Sequence, residues 1–151
     1  MEIRKVFITG GCGFIGSYLA RTLLEQGFEA VLFDAFLNYV DPFTSNYQHF
    51  LKARMEDLHG KVTIERGDIR VQKRMQQILN EWKPDAVIHL AALPSAKEAT
   101  QYPTEALQIN VDGTLSVLEG IKACGSVMRF IFTSSSFVYG HFKQPVADEI
   151  H

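Results

Sequence analysis

The chain has 151 residues, 46% hydrophobic and 21% charged, with a formal net charge of -2, which is enough apolar material for one globular domain with a core. That balance excludes a disordered or collagen-like chain, and the interspersed charges offer no basic stripe for nucleic acid or an anionic membrane surface. A small molecule is therefore the expected partner. Residues 1–5 lead straight into a strand pattern without the features of a signal peptide, and no apolar run has the length of a membrane span. Cys12 and Cys124 lie in a glycine turn and near a helix end, as unpaired thiols of a reducing compartment would, so the cytoplasm is the expected location.

In chain order, residues 3–9 read as a short buried strand and 14–26 as a helix with Ile15, Leu19, Leu23 and Leu24 on one face, ended by Gly27. A second buried strand, 30–33, stops at Asp34. A loop with Asn38, Asp41 and Pro42 follows, then a helix over 44–58 closed by Gly60. Residues 61–65 read as the third strand, 70–82 as a helix, 86–90 as the fourth strand, 104–123 as a long helix and 129–133 as the fifth strand. Strands apolar on both faces, alternating with helices, imply an α/β fold: a doubly wound parallel sheet with helices on both faces and about five strands. Right-handed crossovers and a reversal of strand order would gather the carboxyl ends of strands one, two and four around one crevice.

The stretch TGGCGFIGSYL, residues 9–19, puts Gly10, Gly13 and Gly16 between a strand and a helix. In a dinucleotide site Gly10 permits the tight turn, Gly13 the approach of pyrophosphate to backbone, and Gly16 the packing of helix on strand, with Phe14 and Ile15 opening the helix beside the phosphates. A glycine-rich turn without a ligand is the alternative. Asp34 stands 24 residues beyond Gly10, near the offset of a carboxylate that binds adenosine ribose hydroxyls. Its charge favours NAD over NADP, since no basic residue occurs in 35–39. His89 is read as a satisfied core histidine, and no spacing of histidine or cysteine suggests a metal.

Several motifs in order, TGGCGFIGSYL, GDIR (67–70), HLAA (89–92), NVDGT (110–114) and SSSFVYG (134–140), resemble those of the extended short-chain dehydrogenases/reductases, particularly nucleotide-sugar epimerases and dehydratases. The resemblance covers essentially the whole chain and implies a Rossmann-type fold. It also implies that Asp68 contacts the adenine amino group, Ile69 lines the adenine pocket, and Leu90, Ala91 and Ala92 pass along the cofactor. Asn110 is read as a brace more than a direct ligand. Residues 34–43, DAFLNYVDPF, look like the corresponding segment of uronate 4-epimerases, which adds Asn38 to the cofactor-binding candidates. Ser136 and Phe137 stand where 4,6-dehydratases of the family carry an Asp-Glu pair, which disfavours that reaction.

The family oxidises a sugar hydroxyl by hydride transfer to NAD, using a tyrosine base with a nearby lysine and a hydroxyl that holds the substrate oxygen. The pattern implies Ser135 as that hydroxyl, with Ser136 as helper. The one Tyr-x-x-x-Lys match, Tyr139 to Lys143, is rejected, because Gly140 and Pro145 make poor helix sequence. The expected pair belongs further on, after an element that PVADE (145–149) begins. Residues 1–151 are thus expected to be the NAD-binding part of a longer enzyme, inactive at this length, lacking the substrate domain. A UDP-sugar is the expected substrate, and by the resemblance a homodimer is expected at full length, the helix that carries the tyrosine and lysine bundling with 104–123. Without that helix the face bearing Leu107, Val111, Leu115 and Leu118 and the open edge of the fifth strand would invite association or aggregation. The alternatives are a nucleotide-sugar decarboxylase or dehydratase, another extended dehydrogenase, or a non-catalytic NAD-binding module.

Overall fold

The computed structural model describes residues 2–37 and 45–140. Within them β1 (Lys5–Thr9), α1 (Phe14–Glu25), β2 (Glu29–Asp34), α2 (Tyr47–Met55) and β3 (Thr63–Arg66) form the first half. The second half runs α3 (Gln72–Trp82), β4 (Ala86–His89), α4 (Ala96–Gln101), α5 (Pro103–Leu107), a π-helix (Gln108–Gly113), α6 (Thr114–Cys124), β5 (Arg129–Phe132) and a 3-10 turn (Ser136–Tyr139).

All pairings are parallel, in the order β3-β2-β1-β4-β5, so the chain moves outward from β1 in one direction and then restarts on its other side. The reversal between β1 and β4 leaves a crevice at the carboxyl edge. Alternation along each strand supplies two cores at once. Val6, Ile8, Ala30 and Leu32 face the side covered by α1, with Ala20 and Leu58. Phe7, Val31, Phe33 and Val87 face the other side, where Met75, Ile78 and Leu79 of α3 and Val117 of α6 pack. A strand buried on both faces is what the continuous apolar runs encode.

The predicted helix 104–123 differs most. Pro103 begins α5 at its first position, where a missing N–H costs nothing, and the separate α4 lies before it. Inside the predicted span the backbone widens into the π-helix before α6 resumes. The strand and helix ends elsewhere shift by one to three residues, and the predicted start of α2 lies outside the described residues. The helix α2 buries none of its own residues; Arg21 of α1 anchors its end with a forked pair of bonds to Asp57, at 2.6 and 2.7 Å, and donates to the Arg54 carbonyl.

The expected apolar face is present and open. Leu107, Val111, Leu115 and Leu118 are 59%, 54%, 56% and 42% exposed, and Ile131 and Phe132 on edge strand β5 are exposed as well. Replacing the fully buried Phe7, whose ring lies 5.7 Å from that of Phe33, by alanine is expected to cost about 3–5 kcal/mol in urea unfolding. Leu115→Ala on the open face should stay within about 0.5 kcal/mol of the unaltered chain.

Candidate functional site

Parallel strands put every turn that follows a strand on one edge, and the described candidate residues stand there. Gly10 leaves β1 at φ +67, and a Cβ on it would lie 2.9 Å from the Ala91 nitrogen. The backbones after β1 and β4 therefore touch, which no side chain at position 10 would allow. A Cβ on Gly16 would meet the Gly10 oxygen at 2.5 Å, so α1 sits directly on the turn. Gly13 donates its N–H to the Gly10 oxygen at 3.0 Å, and a Cβ there would lie 3.0 Å from that same atom, so the turn leaves little room for a side chain. The helix then starts at Phe14 with no side-chain cap and no acidic residue in its first turn. The first-turn N–H groups of Phe14, Ile15 and Gly16 have no intrahelical partner, and the helix dipole adds positive potential there. This is an anion cradle, and a pyrophosphate fits it.

Beside it, both oxygens of Asp34 are held by backbone. Cys12 N–H donates to one at 3.0 Å and Phe36 N–H to the other at 2.8 Å. Phe36 adopts φ +54 to do so, a conformation that non-glycine residues rarely take. The carboxylate keeps lone pairs for further donors such as ribose hydroxyls. Burial and then the charge of Asp34 push the Cys12 thiol up to about 12, so it is a neutral packing group. Positive charge lies near as well: the Arg66 guanidinium sits 6.0 Å over the Phe36 ring, and Arg54 acts on Cys12. Asn38 lies outside the described residues. The cleft of about 530 Å³ between α1 and α2 is elsewhere, sharing only Phe14 with the candidates.

After β3, Asp68 accepts from Arg70 through the backbone N–H at 2.9 Å and the guanidinium at 2.6 to 3.0 Å, and Arg70 reaches Glu105 at 3.3 Å. Burial opposes ionisation of Asp68, but the bonds from Arg70 outweigh it and hold the carboxyl below its ordinary range. Ile69 is buried against Gly113, where a Cβ would come within 2.5 Å of its Cδ1.

After β4, a chain of bonds runs through His89. Thr114 gives its hydroxyl proton to the Asn110 carbonyl at 2.7 Å, so it can only accept from His89 Nε2–H, 3.0 Å away. His89 Nδ1 then accepts from the Thr9 hydroxyl at 2.6 Å, and Thr9 Oγ1 in turn accepts the N–H groups of Leu90 and Ala91, each at 3.2 Å. His89 is thus a core histidine with both nitrogens satisfied, flanked by the rings of Phe130 and Phe132. The Asn110 amide clasps Leu93, accepting its N–H at 2.8 Å and donating to its carbonyl at 3.3 Å. That is the bracing role, and it fixes the Leu90 to Leu93 loop from the π-helix.

Ser135 caps the 3-10 turn after β5, its hydroxyl oxygen accepting the Phe137 N–H at 3.2 Å, and Ser136 begins the turn; both are exposed. Gly140 at φ +63 ends the turn directly after Tyr139, so the described part of the Tyr139–Lys143 match is not an α-helix; Lys143 lies outside the described residues. Among the described residues no three or more His, Cys, Asp and Glu side chains gather to hold a metal ion. Sequence reasoning gave no role to Thr9, Thr114, Arg70 or Glu105. Thr9, Arg70 and Thr114 lie within quoted motifs, whereas Glu105 lies in none of them.

A family model described as GDP-mannose 4,6 dehydratase matches residues 7–151. A UDP-glucose 4-epimerase of Klebsiella pneumoniae is 40% identical over 137 residues, which is 90% of this chain and 92% of that protein. The UDP-glucose 4-epimerase of Mus musculus is 35% identical over 150 residues, 99% of this chain and 42% of that protein. The crystal structure of UDP-glucose 4-epimerase from Bifidobacterium longum in complex with NAD+ and UDP superposes with a TM-score of 0.80 at 30% identity, covering 96% of this chain and 41% of that one. The chain therefore spans about two fifths of the mouse and Bifidobacterium proteins and most of the Klebsiella one.

Burial lowers the His89 imidazole from its ordinary 6.5 to about 4. Between those values the unfolded chain holds a proton that the folded chain refuses. Stability is expected to be full above about pH 6.5 and to fall by about 3 kcal/mol as pH drops toward 4. Urea unfolding from pH 7 to 4 checks this; a His89→Gln chain, with no proton to gain, should show a shallower decline.

Proposed function

The chain belongs to the GDP-mannose 4,6 dehydratase family, and on that footing we propose that it is the NAD-binding part of a nucleotide-sugar epimerase. The observation that carries this reading is the uncapped start of α1 next to an aspartate whose two oxygens are already fixed by backbone amides. In it the N–H groups of Phe14, Ile15 and Gly16 bind the pyrophosphate, and Asp34 accepts the adenosine ribose hydroxyls. Asp68 and Ile69 hold the adenine. The braced loop of Leu90, Ala91 and Ala92 runs beneath the rest of the dinucleotide.

Bound NAD would supply the hydride acceptor for oxidation of a sugar hydroxyl. Ser135, at the carboxyl end of β5, positions the substrate oxygen by hydrogen bonding, with Ser136 beside it. The base is assigned to a tyrosine and lysine of a longer polypeptide, and the substrate to a UDP-sugar, as in the Bifidobacterium enzyme crystallised with NAD+ and UDP. Ser136 and Phe137 in place of an Asp-Glu pair argue against 4,6-dehydration. The exposed ridge of Leu107, Val111, Leu115 and Leu118 is the surface we assign to a second copy, in a cytoplasmic homodimer.

Calorimetric titration of the 151-residue chain should give NAD binding at least tenfold tighter than NADP. Equal affinity would mean that Arg54 or Arg66 accepts the extra phosphate and that Asp34 is not the discriminator. Asp34→Ala, which also frees two backbone donors, should weaken NAD about 10- to 100-fold. In a polypeptide that extends through the tyrosine and lysine, UDP-glucose should be epimerised, and Ser135→Ala should lower kcat about 10- to 100-fold with NAD affinity unchanged. Turnover by the 151-residue chain alone would reinstate Tyr139 and Lys143.

A further inference from the structure

The reading above leaves Arg70 without work, although it is the most heavily engaged cation among the described residues. Its backbone N–H and Nε reach Oδ1 of Asp68 at 2.9 and 3.0 Å, Nε and Nη2 reach Oδ2 at 2.9 and 2.6 Å, and Nη1 turns to Glu105 at 3.3 Å. All three side chains are one-quarter to one-third exposed, so water reaches the bonds only in part, and Asp68 follows β3 at the carboxyl edge of the sheet. Glu105 belongs to α5, on the far side of the sheet reversal, so the guanidinium is held from both ends.

A carboxylate in this setting can do one thing only. With its charge neutralised by a forked guanidinium it stays ionised, and an ionised carboxylate accepts hydrogen bonds and donates none. Resting on the NAD reading, we infer that Arg70, steadied by Glu105, is a positioning residue that makes the base pocket selective for a 6-amino purine by fixing Asp68 as a pure acceptor. An adenine amino group donates to Asp68. A 6-oxo purine presents a carbonyl there instead, and two acceptors face each other without a proton between them. Without Arg70 the half-buried carboxyl is free to turn and to take a proton, and a protonated carboxyl can donate to the 6-oxo group. Lysine would restore the charge but not the forked geometry.

The test compares NAD with nicotinamide hypoxanthine dinucleotide, identical except at purine C6, by calorimetric titration of the 151-residue chain between pH 5 and 8. The unaltered chain should prefer NAD at least tenfold, with a ratio flat across that range. In Arg70→Ala the ratio should fall to threefold or less, because NAD weakens while the hypoxanthine analogue holds within threefold. The remaining preference should decline further toward pH 5 as Asp68 takes up a proton, a pH dependence that a scaffold defect would not create. Arg70→Lys should lose at least threefold of the preference and keep a flat pH profile.

Arg70→Ala that weakens both dinucleotides equally, at a pH-independent tenfold ratio, overturns the inference. If that variant does not fold by circular dichroism, Arg70→Lys decides, and full preference in it is equally fatal. An unaltered chain that binds both dinucleotides alike removes only the adenine device. One that binds neither removes the NAD reading and this inference with it.

Discussion

The structure turns on a contact between two pieces of backbone. Where β1 ends, Gly10 lies against Leu90 and Ala91 with no room for a Cβ, and this contact occurs at the reversal of strand order. The approach sets the depth of the crevice, brings the start of α1 to its floor, and lets one threonine, Thr9, bond to both amides of the facing turn. Two parallel strands whose following turns diverged would leave those amides and the first turn of α1 facing different regions of solvent. Held together, the turn after β4 and the start of α1 lie on one edge of the sheet.

The apolar interior serves this surface by keeping the sheet rigid. Phe7 and Phe33 on one face and Ile8 and Leu32 on the other fill both sides of β1 and β2, so the strand ends have little freedom to shift. The polar bonds at the carboxyl edge connect turns that are far apart in sequence. Asp34 joins the ends of β1 and β2, Asn110 joins the π-helix to the turn after β4, and Arg70 joins the turn after β3 to α5. A site assembled from such cross-links is preorganised, with the ordering of its groups already met in folding rather than at the moment of binding.

Much of this was legible in the sequence, for identifiable reasons. Runs such as Val6-Phe7-Ile8 are apolar on both faces and so mark parallel strands, and glycines between strand and helix mark the tight turn from β1 into α1. The irregular stretch was not legible. Nothing in 104–123 distinguishes a continuous helix from one broken by a π-turn, because the deciding contacts, Gly113 against Ile69 and Asn110 against Leu93, are with distant residues. The spacing places Gly13 in the turn but does not reveal that a Cβ there would also crowd the Gly10 oxygen. The pairing of Arg70 with Asp68 could have been suspected from their adjacency, but its extension to Glu105 depends on the fold.

The row from Thr9 through His89 to Thr114 has a direction. Each hydroxyl passes its single proton one way, and the imidazole must carry its own on Nε2 for the sequence of donors to close. No member can be exchanged alone for a residue with the opposite polarity without leaving two donors or two acceptors face to face in the interior. Positions 9, 89 and 114 should consequently drift as a set over evolutionary time, and their joint variation among relatives would mark the heart of the domain more sharply than the variability of any one of them.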